Sequence, residues 1–418
     1  MSTDTSSQPK PKAKRINLRR PEIMAEVKAQ VLSHYRSDLV DHLRVKGQVT
    51  WIAPRGSQTE RITIKLAKEF GFCYGVERCI DLAYAALKVF PDKPIYILNE
   101  IIHNPDVNDQ IRDMGIRFLS GPNKVADIND LGEDDIVIVP AFGAEVSTLE
   151  KLKDRGCQLV DTTCGDVMSV WKRVRGYAKE KFTSIIHGKV QHEETRATIS
   201  QATANNGHYL ILREIEEAQL VCDYIVKGGD KVKFLKKFEG SYSKDFDPNK
   251  HLQAVGVANQ TTMMRGETEE VQQLIKNAIE RRFGAENVDE HFRFFDTICG
   301  ATQERQDALG EMLKQPMNLL LVIGGYNSSN TAHLAEMGEG VLPTYFIKNA
   351  HELVGENLIH HWNQHREMVE KTHDWLPQGQ LTVGITAGAS CPNNLIEDVI
   401  CRLLTLRGTS AKEILASL

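Results

Sequence analysis

Short apolar runs alternate with amphipathic segments along most of the chain. Runs such as residues 95–98, 136–139 and 319–323 are rich in β-branched or aliphatic side chains, and each ends in a polar or glycine-rich loop before a helical pattern begins. Short apolar runs bounded by turn residues are typical of buried strands. Regular alternation of strands and helices predicts an α/β fold with parallel sheets, whose ligands gather at the C-terminal ends of the strands.

The same pattern predicts several units along the chain. Residues 1–60 form an N-terminal extension, with one helix predicted at about residues 22–42 from the spacing of its apolar side chains. A Lys-rich stretch at residues 226–251 is predicted to be a surface insertion. The predicted units are an extension at 1–60, lobes at 61–163, 164–292 and 293–405, and a tail at 406–418.

Composition excludes several classes of protein. The chain has 418 residues, is 41% hydrophobic and carries a net charge of -5, so it has no general attraction to nucleic acid or an anionic membrane. No apolar run is long enough to span a membrane. The N-terminal residues lack the apolar centre of a secretory signal, and eight cysteines are too few for a disulfide scaffold. We therefore expect a reducing compartment: the cytoplasm, or the plastid stroma in a eukaryote.

Three cysteines occupy the same kind of position. Cys73, Cys164 and Cys299 each follow an apolar run and precede an amphipathic segment, so each is predicted to open a helix. A helix N-terminus lowers the pKa of a thiol and favours thiolate as a metal ligand. Three thiolates aimed at one centre are one short of a fully ligated iron-sulfur cube, which would leave one iron free for substrate. The alternative is three unrelated buried cysteines.

Polar strand ends supply the other candidate residues. Two loops, residues 324–331 and 386–392, combine glycine with Ser, Thr and Asn in the manner of phosphate-binding loops, although ordinary helix caps are the alternative. His103 and His192 lie in similar loops, where histidine can donate to phosphate oxygens. Glu194 can deliver a proton, and a hydroxyl near Thr261 can relay it.

Other features carry less weight. His361 and His365 are one helical turn apart but lack the glutamate of a metalloprotease motif, so they are interpreted as part of a polar exposed helix. Residues 10–15 are basic and are interpreted as a solvated tail. The remaining cysteines are predicted to be small core residues: Cys79, Cys157, Cys222, Cys391 and Cys401.

Taken in order, these motifs resemble the 4-hydroxy-3-methylbut-2-enyl diphosphate reductase family, which ends the methylerythritol phosphate route to isoprenoids. The resemblance runs from about residue 64 to residue 402, and the N-terminal extension and residues 141–143 are similar to the plant and cyanobacterial branch. The motifs are GFCYGVER at 71–78, NEIIHNP at 99–105, DTTC at 161–164, HGKVQHEET at 187–195, NQTTM at 259–263, DTICGATQERQ at 296–306, NSSN at 327–330 and TAGASCP at 386–392.

The resemblance implies a trefoil of three small α/β lobes around a central 4Fe-4S cluster. It also implies a role for each candidate residue, with Cys73, Cys164 and Cys299 as the cluster ligands and Glu194 and Thr261 as the proton-delivery residues. Two departures from the family pattern stand out: Phe142 replaces a diphosphate-binding histidine of many bacterial members, and Gly165 replaces a proline. The diphosphate site implied by the family falls on His103, His192, Ser328, Ser329, Asn330 and Ser390, with Thr261 also near the substrate.

The implied reaction is reductive removal of an allylic hydroxyl, giving isopentenyl and dimethylallyl diphosphate. A ferredoxin or flavodoxin is the expected electron donor, and neither nucleic acid nor membrane is an expected partner. Three alternatives remain open at this point: a dehydratase with the same open iron, a cluster-based redox sensor, and structural zinc held by three cysteines and a histidine.

Overall fold

The computed structural model describes residues 18–55, 58–295 and 297–409. Its helices and strands are numbered in chain order. The strands are β1 Gln48–Arg55, β2 Gln58–Leu66, β3 Ile95–Ile97, β4 Arg117–Phe118, β5 Ile136–Val139, β6 Gln158–Asp161, β7 Thr183–His187, β8 Tyr209–Leu212, β9 Val255–Asn259, β10 Phe292–Phe294, β11 Leu319–Ile323, β12 Thr344–Ile347, β13 Leu358–Asn363, β14 Met368–His373 and β15 Leu381–Ala387.

The helices alternate with these strands, as the hydrophobic pattern predicts. They are α1 Pro21–Tyr35, α2 Asp38–Lys46, α3 Tyr74–Val89, α4 Pro105–Asp113, α5 Val146–Asp154, α6 Gly165–Lys179, α7 Glu193–Thr203, α8 Ile215–Lys227, α9 Lys231–Lys237, α10 Pro248–His251, α11 Arg265–Phe283, α12 Val288–His291, α13 Gly300–Leu313, α14 Ser329–Glu339 and α15 Asn393–Leu406.

Within the described ranges the strands form three larger sheets and one hairpin. The first sheet has the order β4-β3-β5-β6 and the second has the order β10-β9-β7-β8, and all their neighbouring strands are parallel. The third sheet has the order β1-β2-β15-β11-β12 and is parallel except for the antiparallel pair β1 and β2. The antiparallel hairpin is β13-β14. The predicted α/β class with parallel sheets is confirmed.

Burial explains why the central strands read as continuous apolar runs. Every residue of β5, β7, β9 and β11 is buried, because helices cover both faces of each sheet. The parallel strands therefore end in loops at one edge of each sheet, and the chain passes from there into the next helix.

Each of the three cysteines lies where the chain passes from one sheet to another. Strand β2 belongs to the third sheet and leads to Cys73, whereas α3, which follows, packs on the first sheet. Strand β6 of the first sheet leads to Cys164, and α6 packs on the second sheet. Strand β10 of the second sheet leads to Cys299, and α13 packs on the third sheet. The three crossings close a cycle.

One of these crossings, from β2 to α3, lies inside a predicted lobe. Strand β2 overlaps the predicted first lobe at 61–163 but pairs with β15 of the third sheet. Strand β1 lies in the predicted extension at 1–60 and pairs with β2. Hydrophobic periodicity identifies the buried face of an element but not the element it packs against, so the pattern could not reveal this crossing.

Two local predictions are wrong. The single helix expected at residues 22–42 is two helices, because the Ser37 hydroxyl accepts a hydrogen bond from the Val40 N–H at 2.9 Å and so caps α2. His361 lies in β13, which pairs with β14, and His365 lies in the turn between those strands rather than in a helix. Spacing of four residues fits a helix, but the alternating exposure of β14 marks a hairpin.

Candidate active site

A cavity of about 120 Å³ lies among the loops and helices that connect the strands of all three sheets. The structure brings every predicted site residue to this cavity, including those more than 300 positions apart in sequence. They are Cys73, His103, Cys164, His192, Glu194, Thr261, Cys299, Ser328, Ser329, Asn330 and Ser390.

The three cysteines are the N-caps of helices α3, α6 and α13, which confirms the predicted helix starts. Gly75, in the first turn of α3, allows two of them to approach each other. A Cβ atom at Gly75 would lie 2.7 Å from the Cys164 Sγ and 3.9 Å from the Cys73 Sγ. Any side chain here would therefore occupy the space between the two sulfurs.

The spacing of the sulfurs argues against one shared zinc ion. Thiolates that bind one zinc at about 2.3 Å lie roughly 4 Å apart. Among the described residues, the three cysteine sulfurs do not form a group whose ligand atoms all lie within 4.8 Å of one another. In an iron-sulfur cube each thiolate binds a different iron, so a wider spacing suits that group. Three cysteines that line one cavity are thus a donor set that fits a 4Fe-4S cluster.

The predicted lowering of the thiol pKa values is wrong for two of these cysteines. Burial raises the pKa of Cys164, and it raises the pKa of Cys299 to about 12, with the Asp166 side chain contributing in the same direction. Withdrawal from water therefore outweighs the helix N-terminus when no metal is bound. Binding of iron would have to displace these protons, as it does for any thiol ligand.

Elsewhere in the same cavity, buried nitrogen atoms have no hydrogen-bond partner among the described residues. We call the part of the cavity around them the polar wall and the part around the three cysteines the cysteine wall. His103 Nε2, His192 Nε2 and Asn330 Nδ2 are inaccessible to solvent and make no hydrogen bond among the described residues. Buried donors are nearly always paired, because an unpaired one carries the full cost of its lost hydration. Unpaired nitrogens from three separate loops around one cavity are therefore a candidate site for a ligand rich in hydrogen-bond acceptors.

The protonation of His192 determines the kind of ligand. Its Nδ1 accepts a hydrogen bond from the Glu194 backbone N–H at 3.2 Å. Burial, aided by the nearby His103 and Lys189, holds the pKa of His192 well below its usual value, so the ring is neutral and its hydrogen sits on Nε2. That nitrogen can donate to an anion but has no lone pair for a metal. The group His103, His192 and Glu193, although compact enough for a metal ion, is therefore better suited to an anion.

Two loops of the third sheet complete this wall. Ser328 caps α14, and the Ser329 hydroxyl accepts a hydrogen bond from Gln260 Nε2 at 3.1 Å. The Asn330 side-chain oxygen accepts from the Ala389 N–H at 2.9 Å, which turns its free amide nitrogen away from that loop. The Ser390 hydroxyl donates to the His103 carbonyl at 3.0 Å. The sequence left helix capping and ligand binding as alternatives for these loops. The structure shows that helix caps and side chains available to a ligand occur in the same loops.

Glu194 and Thr261, which line the same cavity, form a tightly bonded pair. One carboxylate oxygen accepts from the Thr261 N–H at 2.6 Å, and the other accepts from the Thr261 hydroxyl at 2.9 Å. Burial nevertheless raises the pKa of Glu194 to about 7, although both hydrogen bonds favour the ionised form. A carboxyl group with this pKa can hold a proton at neutral pH and release it readily.

Phe142 and two polar residues support the histidines. The Phe142 ring stacks on His103 with centroids 4.8 Å apart and an angle of 4° between the rings. Glu193 accepts from Asn99 Nδ2 at 3.0 Å and lies 3.8 Å from His103 Nε2. The Gln260 side-chain oxygen accepts from the Thr195 hydroxyl at 3.2 Å. Glu193 had no predicted role, although its position directly after His192 was a usable signal.

The chain is similar in sequence to proteins of one known family. A sequence model described as LytB protein matches residues 64–404. The chain belongs to the LytB protein family. The 4-hydroxy-3-methylbut-2-enyl diphosphate reductase of Gloeobacter violaceus is 46% identical over 391 residues, which cover 92% of this chain and 91% of the relative. The protein of the same name from Thermosynechococcus vestitus is 45% identical over 386 residues, or 92% of this chain and 93% of the relative.

Solved structures show the same fold. A structure described as (E)-4-hydroxy-3-methyl-but-2-enyl diphosphate reductase, the terminal enzyme of the non-mevalonate pathway, is 26% identical and covers 82% of this chain and 99% of its own, with a TM-score of 0.50. The reductase from Plasmodium falciparum is 22% identical and covers 84% of this chain and 89% of its own, with a TM-score of 0.59. The family resemblance, including its cyanobacterial character, and the trefoil fold are confirmed. No helix in the described part of the chain has the length and apolar character needed to cross a bilayer.

Proposed function

We propose that this LytB family member reduces 4-hydroxy-3-methylbut-2-enyl diphosphate to isopentenyl and dimethylallyl diphosphate with a 4Fe-4S cluster. The observation that supports this most is that one cavity has three cysteine sulfurs on one wall and unpaired buried donors on the other. A substrate with an allylic hydroxyl at one end and a diphosphate at the other matches both walls.

The diphosphate is held by the side chains that have free hydrogen-bonding capacity. His192 Nε2 and Asn330 Nδ2 donate to phosphate oxygens, and His103 Nε2 lies beside them. The hydroxyls of Ser328, Ser329 and Ser390 also contact the diphosphate. They lie at or just before the N-termini of two helices, where backbone N–H groups favour an anion. Anchoring one end of the substrate fixes the position of its hydroxyl near the cysteines.

Cys73, Cys164 and Cys299 would hold the cluster, and three ligands would leave one of its four irons without a protein ligand. When bound, it supplies electrons and a Lewis acid that polarises the allylic C–O bond. The overall reaction consumes two electrons and two protons and releases water. Neither the carboxyl group nor the hydroxyls of the cavity can supply electrons, so the reaction needs an external donor, which we propose is a ferredoxin or flavodoxin.

Glu194 provides a proton to the departing hydroxyl, and Thr261 holds and relays it. Its raised pKa keeps about half of Glu194 protonated at neutral pH, so a proton is available at the site, and solvent restores it after each turnover. The Thr261 N–H and hydroxyl fix the orientation of the carboxyl group. After donation, the same two hydrogen bonds stabilise the carboxylate.

Anaerobic purification and cluster reconstitution, followed by incubation with substrate and a low-potential reductant, test the proposal. We expect about four iron and four sulfide per chain and formation of both products only when the reductant is present. Loss of water from the substrate without reductant, giving a product other than these two, would instead identify a dehydratase. One zinc per chain, or sequence-specific DNA binding by an inactive cluster protein, would support the other two alternatives. We place the enzyme in the cytoplasm, or in the plastid stroma of a eukaryote.

A further inference from the structure

An arginine from each cysteine helix reaches the loop before the next cysteine. On α3, Arg78 Nη1 donates to the Thr162 and Thr163 carbonyls at 3.0 and 3.1 Å. These two residues directly precede Cys164. The contact therefore joins the helix that begins after one cysteine to the backbone that positions the second.

The same relation recurs at the other two crossings. On α13, Arg305 donates to the Gly71 carbonyl through Nε at 3.2 Å and Nη2 at 2.6 Å, and Gly71 lies two positions before Cys73. On α6, the Arg173 guanidinium lies 3.6 Å from the centre of the Phe295 ring, four positions before Cys299. The three contacts follow the chain crossings and close the same cycle.

Arg305 differs from the other two in its burial. It is only 3% exposed, and within the described ranges its hydrogen bonds go to the carbonyls of Gly71 and Ala301 rather than to a carboxylate. A buried cation needs a compensating negative charge. Burial lowers the pKa of Arg305, and negative charge at Cys73, Cys299, Glu69 and Glu304 acts in the opposite direction. The thiolates of a bound cluster would add to the counter-charge of the two carboxylates.

We propose that Arg305 and Arg78, with a smaller contribution from Arg173, are positioning residues that hold the three cysteine loops at the spacing the cluster needs. Arg305 also places its positive charge on the loop before Cys73 and on the helix that Cys299 caps, which favours the reduced, more negative cluster. This inference rests on the proposed cluster, but it concerns how these side chains act on the site rather than which reaction occurs.

The test compares glutamine and lysine variants of Arg305 with a matched control. In Arg402 the guanidinium also donates to two backbone carbonyls, those of Leu353 and Val354 at 3.0 and 2.8 Å, far along the sequence from any of the three cysteines. Arg402→Gln therefore removes the same kind of bond elsewhere. Two properties are measured in the anaerobic reconstituted proteins: the chelator concentration that removes half of the iron, and the midpoint potential of the cluster by EPR-monitored titration.

We expect Arg305→Gln to lower the half-removal chelator concentration about ten-fold or more, as loss of an outer-shell partner does at metal sites, and to lower the midpoint potential. Arg305→Lys keeps the charge but not the paired donors, so it should retain the potential while losing iron more easily than wild type. Arg78→Gln should lose iron with a smaller change in potential, and Arg402→Gln should match wild type in both.

The possible outcomes distinguish a failure of this inference from a failure of the proposed function. Equal iron retention and potential in the Arg305→Gln, Arg78→Gln and Arg402→Gln proteins would overturn the inference while leaving a cluster enzyme intact. A wild-type protein that holds no cluster would overturn the proposed function itself. If Arg305→Gln does not fold, the half-buried Arg78→Gln carries the retention test, and a potential in Arg305→Lys below that of wild type would overturn the role of the Arg305 charge.

Discussion

The two walls of the active-site cavity are built in different ways. The polar side chains His192, Ser328 and Asn330 follow a strand and begin or precede a helix that packs on the sheet of that same strand. The cysteines instead stand at crossings between sheets. A change on the polar wall should therefore alter ligand binding locally, whereas a change at a crossing removes a ligand from a centre shared by the whole molecule.

The largest expected effect comes from the cysteine wall. Cys299→Ser should abolish the bound cluster and all activity, because serine is a poor iron ligand and two thiolates cannot hold a cube. Cys222→Ser and Cys401→Ser are the controls, since these cysteines lie in helices α8 and α15 away from the cavity. Iron and sulfide analysis with the visible spectrum measures the result. A full cluster in Cys299→Ser would refute the assignment.

Glu194→Gln should bind substrate but lose turnover by a factor on the order of 100 or more, because the amide keeps the shape of the carboxyl group but cannot donate an acidic proton. Its neighbour provides the control: Glu193→Gln leaves the Thr261 pair intact and should lose much less. Single-turnover rates under anaerobic conditions separate chemistry from binding. Near wild-type turnover in Glu194→Gln would transfer the role to another group, with Thr261 the first candidate.

On the polar wall, His192→Asn should weaken substrate binding by about ten- to a hundred-fold, because a buried donor to phosphate is lost. Ser390→Ala should weaken substrate binding less, since the Ser390 hydroxyl already donates to the His103 carbonyl. His365→Asn, at an exposed turn, is the matched control. Calorimetric titration measures the affinities. Equal affinity in all three variants would mean that the diphosphate binds elsewhere. The polar wall would then not be the diphosphate site.

The smallest expected effect is a pH dependence. Glu194 acts in its protonated form and burial raises its pKa to about 7, so turnover should be constant on the acid side and fall about ten-fold per pH unit well above pH 7. An ordinary glutamate would begin this loss more than two units lower. Glu194→Gln should lack this alkaline decline. Persistence of the decline in that variant would assign it to a different group.

Much of the site could be predicted from the sequence because its local signals are strong. A cysteine between an apolar run and an amphipathic segment predicts a helix start, and all three such helices are present. Gly-rich and hydroxyl-rich strand ends likewise predicted the loops around Ser329 and Ser390. The residues that determine each of these local structures also carry its chemistry, so a pattern within ten residues is sufficient to predict both.

What the sequence could not predict depends on distant neighbours. Which sheet a helix covers is decided by packing across the molecule, so the crossing from β2 to α3 was missed. The pKa of Cys299 depends on burial by residues from other lobes, which outweighs the helix N-terminus on which the prediction relied. The unpaired state of His192 Nε2 is likewise visible only when its surroundings are known. In each case the deciding contacts are absent from the local sequence.

The central claim is that the cysteine wall and the polar wall serve one substrate. EPR spectroscopy of the reduced, reconstituted protein with and without 4-hydroxy-3-methylbut-2-enyl diphosphate tests it directly, with His192→Asn as the paired variant. We predict a cluster signal that changes on addition of substrate, and that His192→Asn needs about ten-fold or more substrate for the same change. A wild-type signal that is unaffected by saturating substrate would contradict the claim, because the cluster and the diphosphate site would then be independent.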